Sequence, residues 1–420
     1  MKKWYNMKMQ RSAPMENKKK KSKKWLKFRH KVVHAVLRHP VHLLCILMYG
    51  IKIEKYRDDK GKRPCLILYN HQTAFDQFFV GLAFKQPIYY MATEDIFSNG
   101  FTSSLIKYLV EPIPIKKQTT DIKAILNCMR IGKEGGSICI APEGNRTYSG
   151  ETVYMSPAIA SLARKLGMPI MLYRIEGGYG IQPRWSDGTR KGKMRGYVAR
   201  VVEPEEYKEL SDAELFDIIK TTLYVNEAKV DGEYHSKTLA EYLERTVYYC
   251  PDCGLSEFES NGDLVKCKKC GKTARYLPTK EFEGVNCKFP YRFVLDWYKA
   301  QENFMNSLDL TEYYDKVMYT DHAEIKEVIP SVKKVPYGDA KVILYGNKVD
   351  IELMESTISC HFDDASTITV LGRNKLNIYH GGKIYQLKGD ERFCALKYVH
   401  IYNRYKNIQK GDENDKFLGL

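Results

Sequence analysis

The 420-residue sequence predicts an α/β protein in which a mostly parallel central sheet is flanked by helices, followed by a small cysteine-rich ribbon and a C-terminal all-β module. Three observations predict this class. Between Pro64 and Pro204, short apolar runs alternate with stretches of helical periodicity, as expected of strands buried on both faces and joined by crossover helices. Two Cys-x-x-Cys-Gly knuckles, Cys250 to Gly254 and Cys267 to Gly271, punctuate residues 246–276. Beyond Pro336, the segments Lys341 to Met354, Ile358 to Leu371, Leu376 to Leu387 and Ala395 to Tyr405 alternate apolar and polar residues, the period of half-buried strands. With 44% apolar and 28% charged residues the chain is neither disordered nor fibrous, and its length allows two or three separate cores.

The N-terminal segment is set apart by charge. Residues 1–30 hold ten Lys and two Arg against the single acid Glu16, and so carry +11 of the net +16. An anionic membrane surface or a nucleic acid would each satisfy residues 1–22, and a solubilising disordered tail explains them equally well. Residues 23–56 favour the membrane. Trp25, Phe28, Val32, Val33, Val36 and Leu37 lie among cations on an amphipathic helix, which Pro40 should end or kink. The apolar run of eleven from Val41 to Ile51 is too short to span a bilayer, which takes about 20 residues. Two helices dipping into one leaflet are therefore expected, with His30, His34, His39 and His42 as interfacial polar residues, and a helix pair buried in a soluble domain as the alternative. The basic stretch is too long for a secretory signal and no small-residue cleavage site follows. A retained, unsecreted protein, peripheral or monotopic on the cytoplasmic face of a membrane, is the expectation.

In the α/β region, Cys65 to Tyr69, Pro87 to Ala92, Pro112 to Ile115, Ser137 to Ala141, Pro169 to Ile175 and Tyr197 to Val202 read as strands. Gln77 to Phe84, Ser103 to Leu109, Thr119 to Gly132 and Pro157 to Leu166 read as helices, the third capped by Thr119 or Thr120 and the last ended by Gly167. The predicted boundaries are 57–230 for this domain, 246–276 for the ribbon, 277–335 for a helical linker and 336–410 for the β module. Further helices are expected at 211–228, 236–245 and 292–306. Gly381-Gly382 should close a two-residue hairpin. The module's strands would suit a pleckstrin-like barrel that contacts lipid or a partner.

Two loops carry candidate chemistry. Asn70-His71-Gln72-Thr73-Ala74-Phe75-Asp76 stands where a strand gives way to a helix, the end of a parallel sheet at which ligands bind. An imidazole with an ordinary pKa of about 6.5 takes up a proton near neutrality, and a carboxylate five residues later can fold back to orient its other nitrogen. Pro142-Glu143-Gly144-Asn145-Arg146-Thr147 follows the strand ending at Ala141; Arg146 offers a planar fork for phosphate and Gly144 lets backbone approach a ligand.

Together these loops resemble the hallmarks N-H-x-S-x-x-D and F-P-E-G-T-R-S of the glycerol-phosphate and lysophosphatidate acyltransferase family. Glu111 to Lys117 and Gly167 to Leu172 are similar to two weaker blocks of that family, so the resemblance runs over about residues 30–205. Thr73, Ala141, Asn145 and Thr147 depart modestly from the hallmarks, and Lys116 stands where the family generally has Arg. The resemblance implies transfer of a fatty acyl group from acyl-CoA or acyl-carrier protein to the hydroxyl of a lysophospholipid such as 1-acylglycerol-3-phosphate. His71 would be the general base, Asp76 its orienter, Arg146 and Lys116 the phosphate contacts, and Glu143 a positioner of the glycerol or the loop, with no covalent intermediate.

The knuckles, separated by the twelve residues 255–266, look like a zinc ribbon in which Cys250, Cys253, Cys267 and Cys270 hold one structural ion. Lys266, Lys268, Lys269 and Lys272 are close enough in sequence to offset the thiolates. Disulfides or a redox dithiol are the alternative. A nucleic-acid-binding protein would explain the ribbon and the tail but not the paired loops, so no nucleic acid is expected as a partner.

Overall fold

The computed structural model describes residues 24–411 apart from 59, 61, 94–95, 98–100, 116–120 and 331. The α/β domain runs α1 (Phe28–Tyr49), β1 (Ile51–Ile53), β2 (Leu66–Tyr69), α2 (Asp76–Ala83), β3 (Ile88–Thr93), α3 (Phe101–Leu109), β4 (Ile113–Ile115), α4 (Ile122–Lys133), β5 (Ser137–Ile140), α5 (Ala158–Leu166), β6 (Ile170–Glu176), α6 (Gly178–Ile181), β7 (Met194–Val202), α7 (Pro204–Lys208) and α8 (Asp212–Leu223). The strands form one sheet in the order β1-β7-β6-β2-β5-β3-β4. Only β6 and β7 pair antiparallel. Strands β2 and β5 are buried along their whole length, because helices cover both faces and the apolar runs have no solvent side. The predicted parallel α/β sheet is present.

Local chemistry fixes the helix ends. Asp121 caps α4 by accepting from the Ala124 N–H; Thr119 and Thr120, the predicted caps, lie outside the described residues. Ser211 and Glu214 form a reciprocal capping box at α8. Gly167, at φ 62°, ends α5 in the left-handed conformation that a side chain would resist.

Helix α1 departs from expectation. Instead of two helices broken at Pro40 there is one of 22 residues with Pro40 inside it. Contacts on both sides of the proline hold it together: His34 Nε2 meets the Gly81 carbonyl at 3.2 Å, Arg38 donates to the Leu82 carbonyl at 2.9 Å, and Cys45 and Tyr49 are buried. Arg38 thereby places a cation at the negative end of α2. His30, expected at an interface, is instead buried and bonded through Nδ1 to the Tyr89 hydroxyl at 2.9 Å. By length and composition α1 is apolar enough to cross a membrane. Its outer side exposes Phe28, Val36, Leu43 and Leu47, and α3 exposes Phe101 and Tyr108.

The ribbon comprises β8 (Tyr249–Cys250), β9 (Gly254–Leu255), β10 (Phe258–Asn261), β11 (Leu264–Cys267), β12 (Thr273–Tyr276) and β13 (Phe282–Gly284), followed by α9 (Val294–Ser307). Residues 236–245, expected to be helical, contain only a short 3-10 turn at Leu243–Arg245. The C-terminal module has β14 (Tyr319–Ile329), β15 (Lys333–Leu344), β16 (Lys348–Glu352), β17 (Thr357–His361), β18 (Ala365–Leu371), β19 (Lys375–His380), β20 (Lys383–Gly389) and α10 (Ala395–Gln409). Its antiparallel sheet, ordered β17-β16-β15-β14-β20-β19-β18, opens at Tyr319, ahead of Pro336. Gly381 and Gly382, both at positive φ, make the predicted hairpin turn. The last predicted strand is wrong: Ala395 to Tyr405 lies in helix α10. Residues 393–402 are all buried, so neither the sheet period nor a one-sided helical stripe can be told from hydrophobicity there.

Candidate active site

The His71 loop is tied down before it does anything chemical. Asn70, one residue past β2, donates to the Ile175 carbonyl at 2.8 Å and accepts from the Ile175 N–H at 2.7 Å, locking the loop to β6. Asp76 begins α2 with no solvent exposure, where the helix N-terminus favours a negative charge. Its carboxylate accepts from the Gln72 N–H at 2.6 Å, the Thr73 N–H at 2.9 Å and the Thr73 hydroxyl at 2.6 Å. Thr73 therefore supplies the hydroxyl that the family pattern has as Ser. The remaining contact of Asp76 is His71 Nδ1 at 2.8 Å. The imidazole is 21% exposed, and its Nε2 has no hydrogen-bond partner among the described residues. A ring held by Nδ1–H on a buried carboxylate leaves a lone pair at Nε2, the arrangement of a general base.

The second loop is joined to the first through backbone. Glu143, buried at the end of β5, accepts from the His71 N–H at 2.7 Å and from the Val153 N–H at 3.0 Å. Both of its oxygens are thus engaged by the protein, and burial pushes its carboxyl up to about 8. Gly144 sits at φ 68° in open space, so conformation rather than crowding requires the glycine. Thr147 N–H reaches the His71 carbonyl at 3.4 Å. Between them, Arg146 donates through Nη2 to the Arg184 carbonyl at 3.3 Å, while its buried Nη1 has no partner. Lys116 lies outside the described residues.

Sequence reasoning missed the segment after β6. Gln72 accepts from the Tyr179 N–H at 3.1 Å, Gln182 accepts from the Ala74 N–H at 3.2 Å, and Arg184 donates to the Arg146 carbonyl at 2.8 Å. Residues 179–184 therefore bridge both loops. The signal was available: β6 is a neighbour of β2 in the parallel part of the sheet, and its C-terminal end is as good a place for function as the ends of β2 and β5.

The four knuckle sulfurs converge, with Cys250, Cys253, Cys267 and Cys270 Sγ all within 4.8 Å of one another and Cys250 to Cys270 at 3.7 Å. Thiolates about 2.3 Å from a tetrahedral ion stand close to that far apart. Backbone N–H groups of Asp252 and Cys253 point at Cys250, and those of Lys269 and Cys270 at Cys267. These amides oppose the thiolate charge where lysines were expected to: Lys266, Lys268 and Lys272 pair with Glu259, Glu257 and Asp252, and Lys269 bonds the Leu255 carbonyl. The ribbon's core also encloses Trp185, the neighbour of Arg184.

Residues 50–175 match the acyltransferase family model. A chloroplastic 1-acyl-sn-glycerol-3-phosphate acyltransferase of Brassica napus is 26% identical over 128 residues, covering 30% of this chain and 36% of that protein's length. The 1-acyl-sn-glycerophosphate acyltransferase PlsC of Thermotoga maritima is 18% identical, with a TM-score of 0.39 over 46% of this chain and 76% of that one.

Proposed function

From the match of residues 50–175 to the acyltransferase family model, we propose that the chain transfers a fatty acyl group from an acyl-CoA or acyl-carrier-protein thioester to the hydroxyl of a lysophospholipid, with 1-acylglycerol-3-phosphate as the acceptor. The observation that carries this reading is the free Nε2 of His71, set by a buried Asp76 and linked through Glu143 to the loop of Arg146. His71 Nε2 takes the hydroxyl proton as the oxygen attacks the thioester carbonyl. The tetrahedral intermediate then collapses, and the imidazolium returns that proton to the departing thiolate. Asp76 holds the tautomer and steadies the positive ring. Arg146 and Lys116 hold the acceptor phosphate, while Glu143, with both oxygens on backbone amides, positions the loop rather than the glycerol.

The same reading assigns α1 and α3 to an anionic membrane surface on its cytoplasmic side. One flank of α1 is fastened to α2, so it lies along a leaflet instead of leaving the domain to cross it. The four cysteines hold a structural zinc ion, which organises the ribbon and takes no part in the transfer.

Product analysis by mass spectrometry, with mixed lysolipids and both donor types, tests the reaction. Phosphatidate is expected from the wild-type chain; thioester hydrolysis alone, or no turnover with any lysolipid, would refute it. Metal analysis of the purified chain should find one zinc per molecule, lost in Cys253→Ser/Cys270→Ser.

A further inference from the structure

Resting on the acyltransferase reading, we infer that Arg184 is a second guanidinium of the acceptor site, and that it and Arg146 together select a phosphate monoester headgroup over a phosphodiester. The two arginines clasp each other by backbone, Arg184 Nη1 to the Arg146 carbonyl at 2.8 Å and Arg146 Nη2 to the Arg184 carbonyl at 3.3 Å. This sets two cations side by side. Arg184 is only 5% exposed and lies over the Tyr148 ring, 3.9 Å from its centroid. Among the described residues no carboxylate comes within 4.0 Å of either guanidinium, whereas buried Arg245 has Asp187 at 2.6 Å.

A buried guanidinium beside a half-buried one, with no carboxylate in contact with either, is an unfavourable arrangement that the fold keeps. Burial lowers the pKa of Arg184, and burial together with the charge of Arg184 lowers that of Arg146 to about 10. Arg146 Nη1 is moreover a buried donor with nothing to donate to. A ligand that cancels both charges must bring about two of its own, with several acceptor oxygens. A phosphate monoester near neutral pH does this; a diester carries one charge and has one terminal oxygen fewer. The segment bearing Arg184 bonds the His71 loop through Tyr179 and Gln182, so a phosphate held there stays in register with the base. Trp185, seated in the ribbon core, fixes the far side of the same segment.

The test compares kinetics of full-length wild type, Arg184→Gln and Arg184→Lys on lysophosphatidate and on lysophosphatidylglycerol, with the same acyl donor. Arg184→Gln should raise KM for the monoester roughly 10- to 100-fold, leave KM for the donor unchanged, and bring the kcat/KM ratio of the two acceptors towards one. Arg184→Lys, which keeps the cation above Tyr148 without the fork, should recover part of that ratio. A purely structural Arg184 would lower both acceptors alike, and an unchanged ratio would overturn the inference while leaving the acyltransferase reading standing. If neither variant folds, the wild-type chain decides by thermal shift with glycerol 3-phosphate against glycerophosphoglycerol. Greater stabilisation by the monoester supports the pair; equal or no stabilisation by both sinks it. That binding readout also stands if wild type acylates no lysolipid, an outcome that removes the proposed reaction instead.

Discussion

Two histidines with opposite surroundings divide the molecule. His71 lies in a loop at the C-terminal end of β2, one ring nitrogen on a carboxylate and the other free. His400 lies inside α10 with no exposure, its Nδ1 2.6 Å from the Tyr248 hydroxyl and its Nε2 3.2 Å from that of Tyr298. Burial drives the pKa of His400 down to about 3, so the ring stays neutral through the physiological range. The difference teaches what makes an imidazole reactive. An ionised partner on one side and an empty place on the other leave a proton acceptor, whereas two phenols close both sides and make a rigid strut. The same contrast runs through the neighbours: Arg146 keeps an orphan donor in the loop bonded to that of the first ring, and the second is sealed in aromatic packing.

The sharpest way to break this comparison is to remove the reactive ring. His71→Ala should lower acyl transfer by roughly 10²–10⁴-fold with the melting temperature almost unmoved, measured by product formation beside calorimetry. Asp76→Asn should approach that loss and also destabilise the fold by about 2 kcal/mol, because Asp76 anchors backbone amides as well as the ring; chemical denaturation separates it from His71→Ala. Acid tests the strut. Its folded pKa lies below the unfolded value of about 6.5, so the unfolded chain takes a proton that the folded one refuses, and stability is lost as pH falls from about 6.5 towards 3. At pH 5 the His400 contribution to that loss is about 2 kcal/mol. Denaturation midpoints at pH 7 and pH 5 should therefore converge in His400→Gln relative to wild type. Smallest of all, Tyr298→Phe should cost about 1 kcal/mol of stability and leave the transfer rate as it was.

The reactive half was the more legible of the two in the sequence. Asn70 to Asp76 and Pro142 to Thr147 are short, local and attached to strands whose apolar runs announce themselves. The knuckles were legible for the same reason, since two thiolates three residues apart need only one turn to converge. Arg184 was not, because nothing local marks it: its role depends on β6 returning beside β2 and on Trp185 finding the ribbon core. Helix α10 escaped through its own burial. A helix buried on nearly every side shows no one-sided stripe, although Tyr398, Tyr402 and Tyr405 stand at the i, i+4, i+7 spacing of a helix and were the signal that could have revealed it. Pro40 misled in the other direction, as a local breaker overruled by Arg38 and Tyr49 packing on either side.

The junction after α1 has a mechanical consequence. Gly50 turns the chain at φ 56° and β1 starts at the very next residue, while Tyr49 packs its ring against Phe75 and Phe79 on the far side of the His71 loop. No slack separates the apolar helix from the His71 loop. A tilt imposed on α1 must therefore be felt at Phe75 within one lever arm; if α1 rests on a lipid layer as proposed, lateral pressure or curvature there would act as a force on the loop rather than as a change in local concentration.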